Sequence, residues 1–313
     1  MRIVLAILAG LMIVAVIGLG LTAFVSRDLS PDHLETVYTS EQSRFVTVDG
    51  VRFHVQETGE RREAGPSLVM IHGFGAHLQT WDGWVEALGD TYHIIRFDLP
   101  GHGLTGPDPS GDYTNERTIA LVTDLLETLG VDRRVMIGNS LGGFIAWRHA
   151  AENPSKVAGQ VLLAPGGIPF PSDPAAADAT VPEWFALIEY IFPIALVQTI
   201  LERLYAEPDR IDPRTVTRYH ELIRRQGNRA ALLQRMRTFR LEDPEPVLRS
   251  IETPTLLLWG RSDTLLPVEQ AALFDEWLPN VATLRLPGVG HMPMEEMPEL
   301  TVRAVKTFLR SLF

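Results

Sequence analysis

The sequence predicts an α/β fold, in which a mostly parallel sheet carries helices on both faces. Short apolar runs that are typical of buried strands alternate with longer stretches of helical spacing. Glycine-containing loops follow the ends of several of these runs, where open α/β sheets gather their functional groups. Near the start, two alternating runs flank Asp49-Gly50, which favours an antiparallel hairpin at the edge of the sheet.

The predicted elements follow one another along the chain at short intervals. The hairpin strands are residues 44–49 and 51–57. The further predicted strands are residues 68–71, 92–97, 134–137, 157–163, 255–259 and 282–286. The predicted helices are residues 114–129, 141–151, 267–278 and 298–313. Because a crossover helix returns the chain to the same end of the sheet, most of these strands should run parallel.

Residues 166–250 interrupt this alternation of strands and helices. They begin with a segment rich in proline and alanine, and three later stretches have helical spacing. These stretches lie near residues 183–204, 213–226 and 228–240. A simple loop of this length would be exceptional, since most connections are about 4–6 residues long. We therefore expect residues 166–250 to form a helical cap between two parts of the core, residues 44–165 and 251–313.

The N-terminus has the length and composition of a membrane-spanning helix. Residues 3–25 contain no charged side chain, and a helix of that length, about 35 Å, would cross a hydrocarbon core of about 30 Å. We therefore expect a membrane anchor at residues 1–28, followed by a polar linker at residues 29–43. A cleaved signal peptide is the alternative, but the apolar run exceeds the usual length of about 7–15 residues and is followed by no clear cleavage site. Arg2 and the α-amino group precede the run and Arg27 follows it, which slightly favours an N-terminus inside and a catalytic body outside the cytoplasm.

Composition and charge exclude several classes of function. The net charge of −11 makes nucleic acid an unfavourable partner, because an acidic surface repels phosphate. The absence of cysteine excludes disulfides, thiolate metal sites and a cysteine nucleophile. The chain has no H-E-x-x-H motif, no P-loop and no dinucleotide fingerprint, so we expect neither a metal nor a cofactor.

A serine flanked by glycines is the first indication of chemistry. The sequence Gly138-Asn139-Ser140-Leu141-Gly142 lies between a predicted strand and a predicted helix. On such a tight turn, side chains two residues either side of the serine would clash, and glycine relieves that clash. The turn would expose the hydroxyl at the carboxyl edge of the sheet, where the helix N-terminus favours developing negative charge. We therefore predict that Ser140 is a nucleophile; an incidental serine in a glycine-rich turn is the alternative.

A serine nucleophile needs a base and a group that orients the base. His291 lies in a glycine-flanked loop directly after the last predicted strand, and Asp263 follows the strand at residues 255–259. Both therefore belong to the carboxyl edge of the sheet, where Ser140 is also predicted. The order serine, aspartate, histidine along the chain is that of one known triad arrangement and differs from the two other serine-protease orders.

Residues 44–313 resemble the α/β-hydrolase fold family. Four motifs carry the resemblance, and each ends or follows a predicted strand. They are His72-Gly73-Phe74-Gly75, Asp98-Leu99-Pro100-Gly101-His102-Gly103, the turn at Ser140, and Trp259-Gly260-Arg261-Ser262-Asp263. The resemblance implies a triad of Ser140, Asp263 and His291, with an oxyanion hole formed by the backbone N–H groups of Phe74 and Leu141.

The resemblance also indicates the reaction. Related epoxide hydrolases and dehalogenases carry an aspartate nucleophile, whereas Ser140 implies an acyl-enzyme and transfer of the acyl group to water. The anchor, the cap and the loop at Phe74 resemble membrane-anchored esterases similar to monoacylglycerol lipase. The sequences 138–140 and 163–167 resemble hydrolases that cleave carbon–carbon bonds in ring-fission products of aromatics, which typically carry tryptophan where this chain has Met292.

We therefore expect a serine hydrolase acting on lipid-like or small acyl esters. A carbon–carbon bond hydrolase is the alternative, and a catalytically silent ligand-binding protein on the same fold is the alternative of another class. The apolar cap sequences 184–188 and 190–197 could line an acyl pocket, contact lipid, or pack within the cap.

Overall fold

The structure is a computed structural model that describes Gly18, Gly20 and residues 26–61, 65–169 and 181–313. The predicted membrane segment at residues 3–25 therefore lies outside the described residues, apart from those two glycines. Among the described helices, no single one is long and apolar enough to span a membrane. Two consecutive cap helices, Glu183–Glu189 and Ile194–Leu204, have the required length and composition only when taken together, and they meet at an angle of 114°.

Eight strands in the described part of the chain form one sheet, in the spatial order β1-β2-β4-β3-β5-β6-β7-β8. The strands are β1 (Ser43–Val48), β2 (Val51–Thr58), β3 (Ser67–Ile71), β4 (Ile94–Phe97), β5 (Arg134–Asn139), β6 (Val157–Leu163), β7 (Thr255–Gly260) and β8 (Val281–Leu286). Strand β2 pairs antiparallel with β1 and with β4, and all other neighbours are parallel. The predicted mostly parallel sheet with an antiparallel hairpin at its edge is confirmed.

Eleven α-helices lie within the described residues. They are α1 (Pro31–Tyr38), α2 (Asp82–Leu88), α3 (Asn115–Thr128), α4 (Leu141–Glu152), α5 (Ile194–Leu204), α6 (Pro213–Ile223), α7 (Asn228–Thr238), α8 (Glu245–Arg249), α9 (Ala271–Trp277), α10 (Pro293–Glu296) and α11 (Pro298–Leu312). Short 3₁₀ helices cover Leu78–Trp81, Glu183–Glu189, Pro208–Arg210 and Val268–Gln270.

The central strands are buried on both faces, which explains why they are apolar without alternation. In β3, Val69 and Ile71 join the apolar cluster that includes residues of α3 and α4. Leu68 and Met70 point to the opposite face and join the cluster that includes residues of α2 and α11. Successive side chains of one strand thus pack against helices on opposite faces of the sheet, as the predicted layering requires.

Residues 29–43, which the sequence indicates to be a polar linker, contain helix α1. Ser30 caps the helix by accepting a hydrogen bond from the His33 backbone N–H, and Pro31 opens its first turn. Leu34 is completely buried and packs with Leu104 and Leu222. Sequence periodicity missed this helix because a single buried apolar side chain anchors its eight residues.

The predicted cap region contains six helical segments between Glu183 and Arg249. The stretch near 183–204 is divided in two, because the backbone is extended at Pro193, the residue that precedes α5. The stretches near 213–226 and 228–240 correspond to α6 and α7, which meet at Gly227 in a left-handed conformation with φ of 87°.

Buried histidines should make the free energy of unfolding depend on pH. Burial lowers the pKa of His102 and of His149 to about 3, whereas a histidine in the unfolded chain titrates near ~6.5. Below pH ~6.5 these two histidines therefore bind protons in the unfolded chain but stay neutral in the folded protein. The free energy of unfolding falls as the pH decreases from ~6.5 towards about 3.

Replacing His149 with leucine should remove part of that dependence. Between pH 7 and pH 5 the His149→Leu variant should lose about 2 kcal/mol less free energy of unfolding than the unmodified protein. Thr123, which contacts the His149 ring, keeps its hydrogen bond to the Ile119 carbonyl in the variant. Denaturant titrations at the two pH values measure the difference, with the exposed His33→Leu as control. Parallel losses in the protein and both variants would contradict the prediction.

Candidate active site

The turn between β5 and α4 places Ser140 at the carboxyl edge of the sheet. Ser140 has φ of 53° and ψ of −115°, a left-handed conformation that is strained for a residue with a side chain. A Cβ atom on Gly142 would lie 2.1 Å from the Ile71 carbonyl oxygen, and one on Gly138 would lie 2.1 Å from the Gly142 carbonyl oxygen. Only glycine fits at these two positions, for the steric reason that the sequence pattern predicts.

His291 and Asp263 lie together in the loops that follow β8 and β7. The His291 Nδ1 atom is 2.7 Å from Asp263 Oδ2, and both side chains are buried. The other carboxylate oxygen of Asp263 accepts hydrogen bonds from the backbone N–H groups of Leu265 and Leu266, each at 2.9 Å. A carboxylate held in this way accepts the Nδ1 proton, which leaves Nε2 as the acceptor of the neutral ring. Within the described residues, the buried Nε2 atom has no hydrogen-bond partner.

Asn139 links the Ser140 turn directly to the histidine loop. Its Nδ2 atom donates to the His291 carbonyl at 3.0 Å and to the Leu163 carbonyl at 3.1 Å. The residue before the predicted nucleophile therefore fixes the backbone of the predicted base. In the sequence, Asn139 is distinguished only by its place in the glycine-flanked motif.

The histidine loop is also held by a buried carboxylate that the sequence analysis missed. Glu296 accepts hydrogen bonds from the backbone N–H groups of Gly290 and Met292, which flank His291, and from that of Ala206 in the cap. The donor distances lie between 2.8 and 3.1 Å. Burial raises the pKa of the Glu296 carboxyl above its usual range, and the three N–H groups oppose that shift. The only signal in the sequence is an acidic residue five positions after the histidine.

The predicted oxyanion loop lies against Ser140. A Cβ atom on Gly73 would be 3.3 Å from the Ser140 Cβ, so the backbone that leads into Phe74 passes beside the serine. His72 holds this loop, because its Nδ1 donates to the Gly73 carbonyl at 2.8 Å and its Nε2 accepts from the Leu99 N–H at 3.0 Å. Leu141, the second predicted donor, opens α4, and the first N–H groups of a helix have no partner within it.

Two neighbouring apolar cavities share part of their lining, and Ser140 lines the first of them. The first has a volume of about 370 Å³ and is lined by Ser140 and Leu141 together with apolar side chains of α4 and the cap. The second has a volume of about 390 Å³ and is lined mainly by apolar side chains from α5, α6 and the preceding 3₁₀ helix. Phe74 and Met236 line both cavities and therefore lie at the boundary between them.

The arginines that line these cavities are bound to other groups. The Arg235 guanidinium donates to the Tyr113 carbonyl at 2.6 Å and to Asn115 Oδ1 at 2.9 Å. Arg229, in the second cavity, pairs with Asp28 at 2.7 Å and donates to the Ile188 carbonyl. Arg229 thus has a charged partner and Arg235 has neutral acceptors, while the other lining side chains are mostly apolar, so the cavity walls favour a mainly apolar ligand.

Comparison with known proteins places this arrangement in a family. Residues 66–298 match the family described as alpha/beta hydrolase fold. The chain belongs to this family. It is a hydrolase, and the resemblance predicted from the four motifs is confirmed.

Its relatives include enzymes from both predicted branches. Monoacylglycerol lipase ABHD6 from Bos taurus is 26% identical over 296 residues, covering 87% of this chain and 83% of that protein. The 2-hydroxy-6-oxo-6-(2'-aminophenyl)hexa-2,4-dienoic acid hydrolase of Metapseudomonas resinovorans is 26% identical over 275 residues, covering 85% of this chain and 90% of the relative. The crystal structure of a membrane phospholipase A, a bacterial virulence factor, matches with a TM-score of 0.73 and 27% identity, covering 98% of each chain.

Proposed function

We propose that this hydrolase cleaves carboxylic esters with Ser140 as nucleophile, His291 as general base and Asp263 as the acid that orients the base. The observation that carries the proposal is the 2.7 Å hydrogen bond between Asp263 and His291 Nδ1. It leaves the Nε2 atom of His291 as an acceptor. The His291 backbone is bound to Asn139, which precedes a serine held on a strained turn at the wall of an apolar cavity.

The reaction follows from these assignments. Ser140 Oγ attacks the ester carbonyl carbon while His291 Nε2 takes the hydroxyl proton. The backbone N–H groups of Phe74 and Leu141 bind the oxyanion of the tetrahedral intermediate. His291 then gives the proton to the departing alcohol, which leaves an acyl group on Ser140. Water, deprotonated by His291, attacks this acyl-enzyme, and the carboxylic acid and Ser140 are released.

The cavity walls support an uncharged ester over a charged ring-fission product. A dienoic acid carries a carboxylate that needs a cationic partner; Arg229 is already paired with Asp28, and Arg235 already donates to the Tyr113 carbonyl and Asn115 Oδ1. The similarity to monoacylglycerol lipase and to the membrane phospholipase supports an acyl ester of a lipid-like alcohol. The carbon–carbon bond hydrolase remains the second candidate, because the dienoic acid hydrolase is an equally similar relative.

A substrate panel tests this proposal. We expect hydrolysis of nitrophenyl esters across several acyl lengths and of a long-chain monoacylglycerol, with little turnover of a ring-fission dienoate. Preference for the dienoate would select the carbon–carbon hydrolase instead. A correctly folded protein that neither turns over any of these compounds nor reacts with a fluorophosphonate probe would be a silent binding protein.

We also propose that residues 3–25 anchor the protein in a membrane, with the catalytic body on the extracytoplasmic side. The absence of charge over residues 3–25 and the similarity to a membrane phospholipase support this placement. The protein should stay in the membrane fraction after alkaline carbonate extraction, and protease added outside intact cells or spheroplasts should digest the body. Release by carbonate, or a mature chain that begins after residue 25, would contradict the anchor.

Removing the charge of Glu296 should slow catalysis through the histidine loop, without changing how the substrate is bound. In Glu296→Gln an amide N–H₂ would face backbone N–H donors that now bind a carboxylate, which loosens both sides of His291. We expect kcat to fall by roughly tenfold to a hundredfold, equivalent to about 1–3 kcal/mol, while KM stays nearly unchanged.

The neighbouring Glu295 provides the matched control. Its carboxylate binds the hydroxyl groups of Tyr205 and Tyr219, and glutamine can still accept those hydrogen bonds. Steady-state kinetics on a soluble ester should therefore show a much smaller change for Glu295→Gln. A rise in KM with unchanged kcat in Glu296→Gln would assign Glu296 to substrate binding rather than to the histidine loop.

A further inference from the structure

The cap presents an apolar edge to its surroundings. Trp184, Leu187 and Tyr190 are spaced three residues apart along the 3₁₀ helix and its end, so their side chains line up on one side. Their exposed fractions are 66%, 56% and 66%. On α5, Leu196 and Ile200 are one helical turn apart and are also exposed. We refer to these five residues as the cap edge.

The cap edge carries almost no charge. From residue 184 to residue 201 the sequence contains one charged side chain, Glu189. Surfaces of this kind are rare on soluble monomers, where contiguous apolar patches mark sites of interaction. Tryptophan and tyrosine on such a surface are typical of the boundary between lipid and water, because each ring combines an apolar body with a polar group.

The cap edge continues into the second cavity. Trp184, Leu196 and Ile200 are exposed and also line that cavity, so they form part of its rim. The cavity extends inward to Phe74 and Met236, which it shares with the cavity that contains Ser140. The side chains of Phe74 and Met236 therefore stand between the cavity at the cap edge and the cavity that contains the proposed nucleophile.

The chain that follows the uncharged N-terminal sequence is bound to this same part of the cap. Ser26 is buried, and its Oγ accepts a hydrogen bond from the Phe192 N–H at 2.9 Å. The next residues stay on the cap, because Asp28 pairs with Arg229 and Leu29 exchanges backbone hydrogen bonds with Arg224 and Gln226. Phe192 and Arg229 both line the second cavity. Ser26, the residue directly after the uncharged sequence 3–25, thus lies against a residue that lines this cavity.

We propose that the cap edge docks into a lipid bilayer, so that the second cavity opens to the membrane and receives an apolar acyl chain directly from it. This inference rests on the proposed membrane anchor and adds the orientation of the body. The bilayer is favoured as occupant because a 23-residue uncharged sequence, long enough to cross it, ends at this face of the cap. Docking would spare the acyl chain a passage through water on its way to Ser140.

The absence of cysteine permits a direct test on the full-length protein. A single cysteine at Leu187→Cys, labelled with nitrobenzoxadiazole, reports on the cap edge after reconstitution into phosphatidylcholine vesicles that contain spin-labelled lipid. The control is Leu284→Cys, which replaces an exposed leucine (43%) on β8, at the end of the sheet. We expect spin-labelled lipid to quench the label at position 187 several-fold more strongly than the label at position 284.

Two results would overturn the proposal, and the second has two possible causes. Equal quenching by lipid at the two positions would mean that the cap edge is not in the bilayer. Protection of position 187 from aqueous iodide without quenching by lipid would assign the edge to another occupant. If this protection rises with protein density in the vesicle, the occupant is a second copy; if it does not, the occupant is the N-terminal sequence of the same chain. None of these readouts depends on catalysis, so they remain valid if ester hydrolysis fails.

An activity comparison tests the functional part of the proposal. Leu187 and Tyr190 lie on the cap edge but line neither of the two cavities. The double variant Leu187→Glu, Tyr190→Glu should hydrolyse a long-chain monoacylglycerol in vesicles roughly tenfold more slowly, with a soluble short-chain ester cleaved within about twofold of normal. Leu284→Glu should change neither rate. Equal loss on both substrates would show damage to the active site and overturn the proposed route of entry.

Discussion

Replacing Ser140 with alanine should lower kcat for ester hydrolysis by about 10⁴–10⁶-fold, because no other group can form the acyl-enzyme. Alanine keeps the β-carbon and the backbone of the turn, including the hydrogen bonds that the Ser140 carbonyl accepts from Phe144 and Gly166, each at 2.9 Å. The fold should therefore persist. Labelling by a fluorophosphonate probe should disappear together with the activity.

Ser262→Ala is the matched control for this variant. Ser262 is exposed and precedes Asp263 at the same edge of the sheet, so its loss should leave both kcat and probe labelling nearly unchanged. Circular dichroism and thermal unfolding of both variants check that each is folded. Undiminished turnover in a folded Ser140→Ala protein would contradict the entire proposed mechanism.

Asp263→Asn should lower kcat by roughly 10⁴-fold while preserving the geometry of the site. The asparagine carbonyl can still accept the backbone hydrogen bonds from Leu265 and Leu266. Its amide group would then face His291 Nδ1 and donate to it. The ring proton would move to Nε2, which could no longer accept the proton of Ser140.

Asp275→Asn is the matched control among the acidic residues after β7. The carboxylate of Asp275 pairs with Arg285 on the outside of the molecule, at 2.5 Å. Its loss should change kcat by less than about twofold, since an exposed pair contributes little even to stability. A loss of less than tenfold in Asp263→Asn would show that another group orients His291.

The sequence by itself determined the layout of the core. Apolar runs such as residues 68–71 and 134–137 can be buried only as strands covered on both faces, and helical spacing after them requires parallel crossovers. Asp49-Gly50 fixed the hairpin, because both residues adopt positive φ, at 44° and 82°. The turn at Ser140 was predictable because its steric requirement is local: the glycines that relieve it lie two residues away.

Other features depend on segments that are distant in sequence, and only the tertiary structure decided them. Glu296 holds both the loop around His291 and the cap backbone at Ala206, because its buried carboxylate needs several donors, and the sequence does not show which donors these are. Helix α1 forms because Leu34 finds a pocket between Leu104 and Leu222. The path of the chain at Ser26 is a further example, because its buried hydroxyl accepts a hydrogen bond from the Phe192 N–H of the cap, a residue far away in sequence.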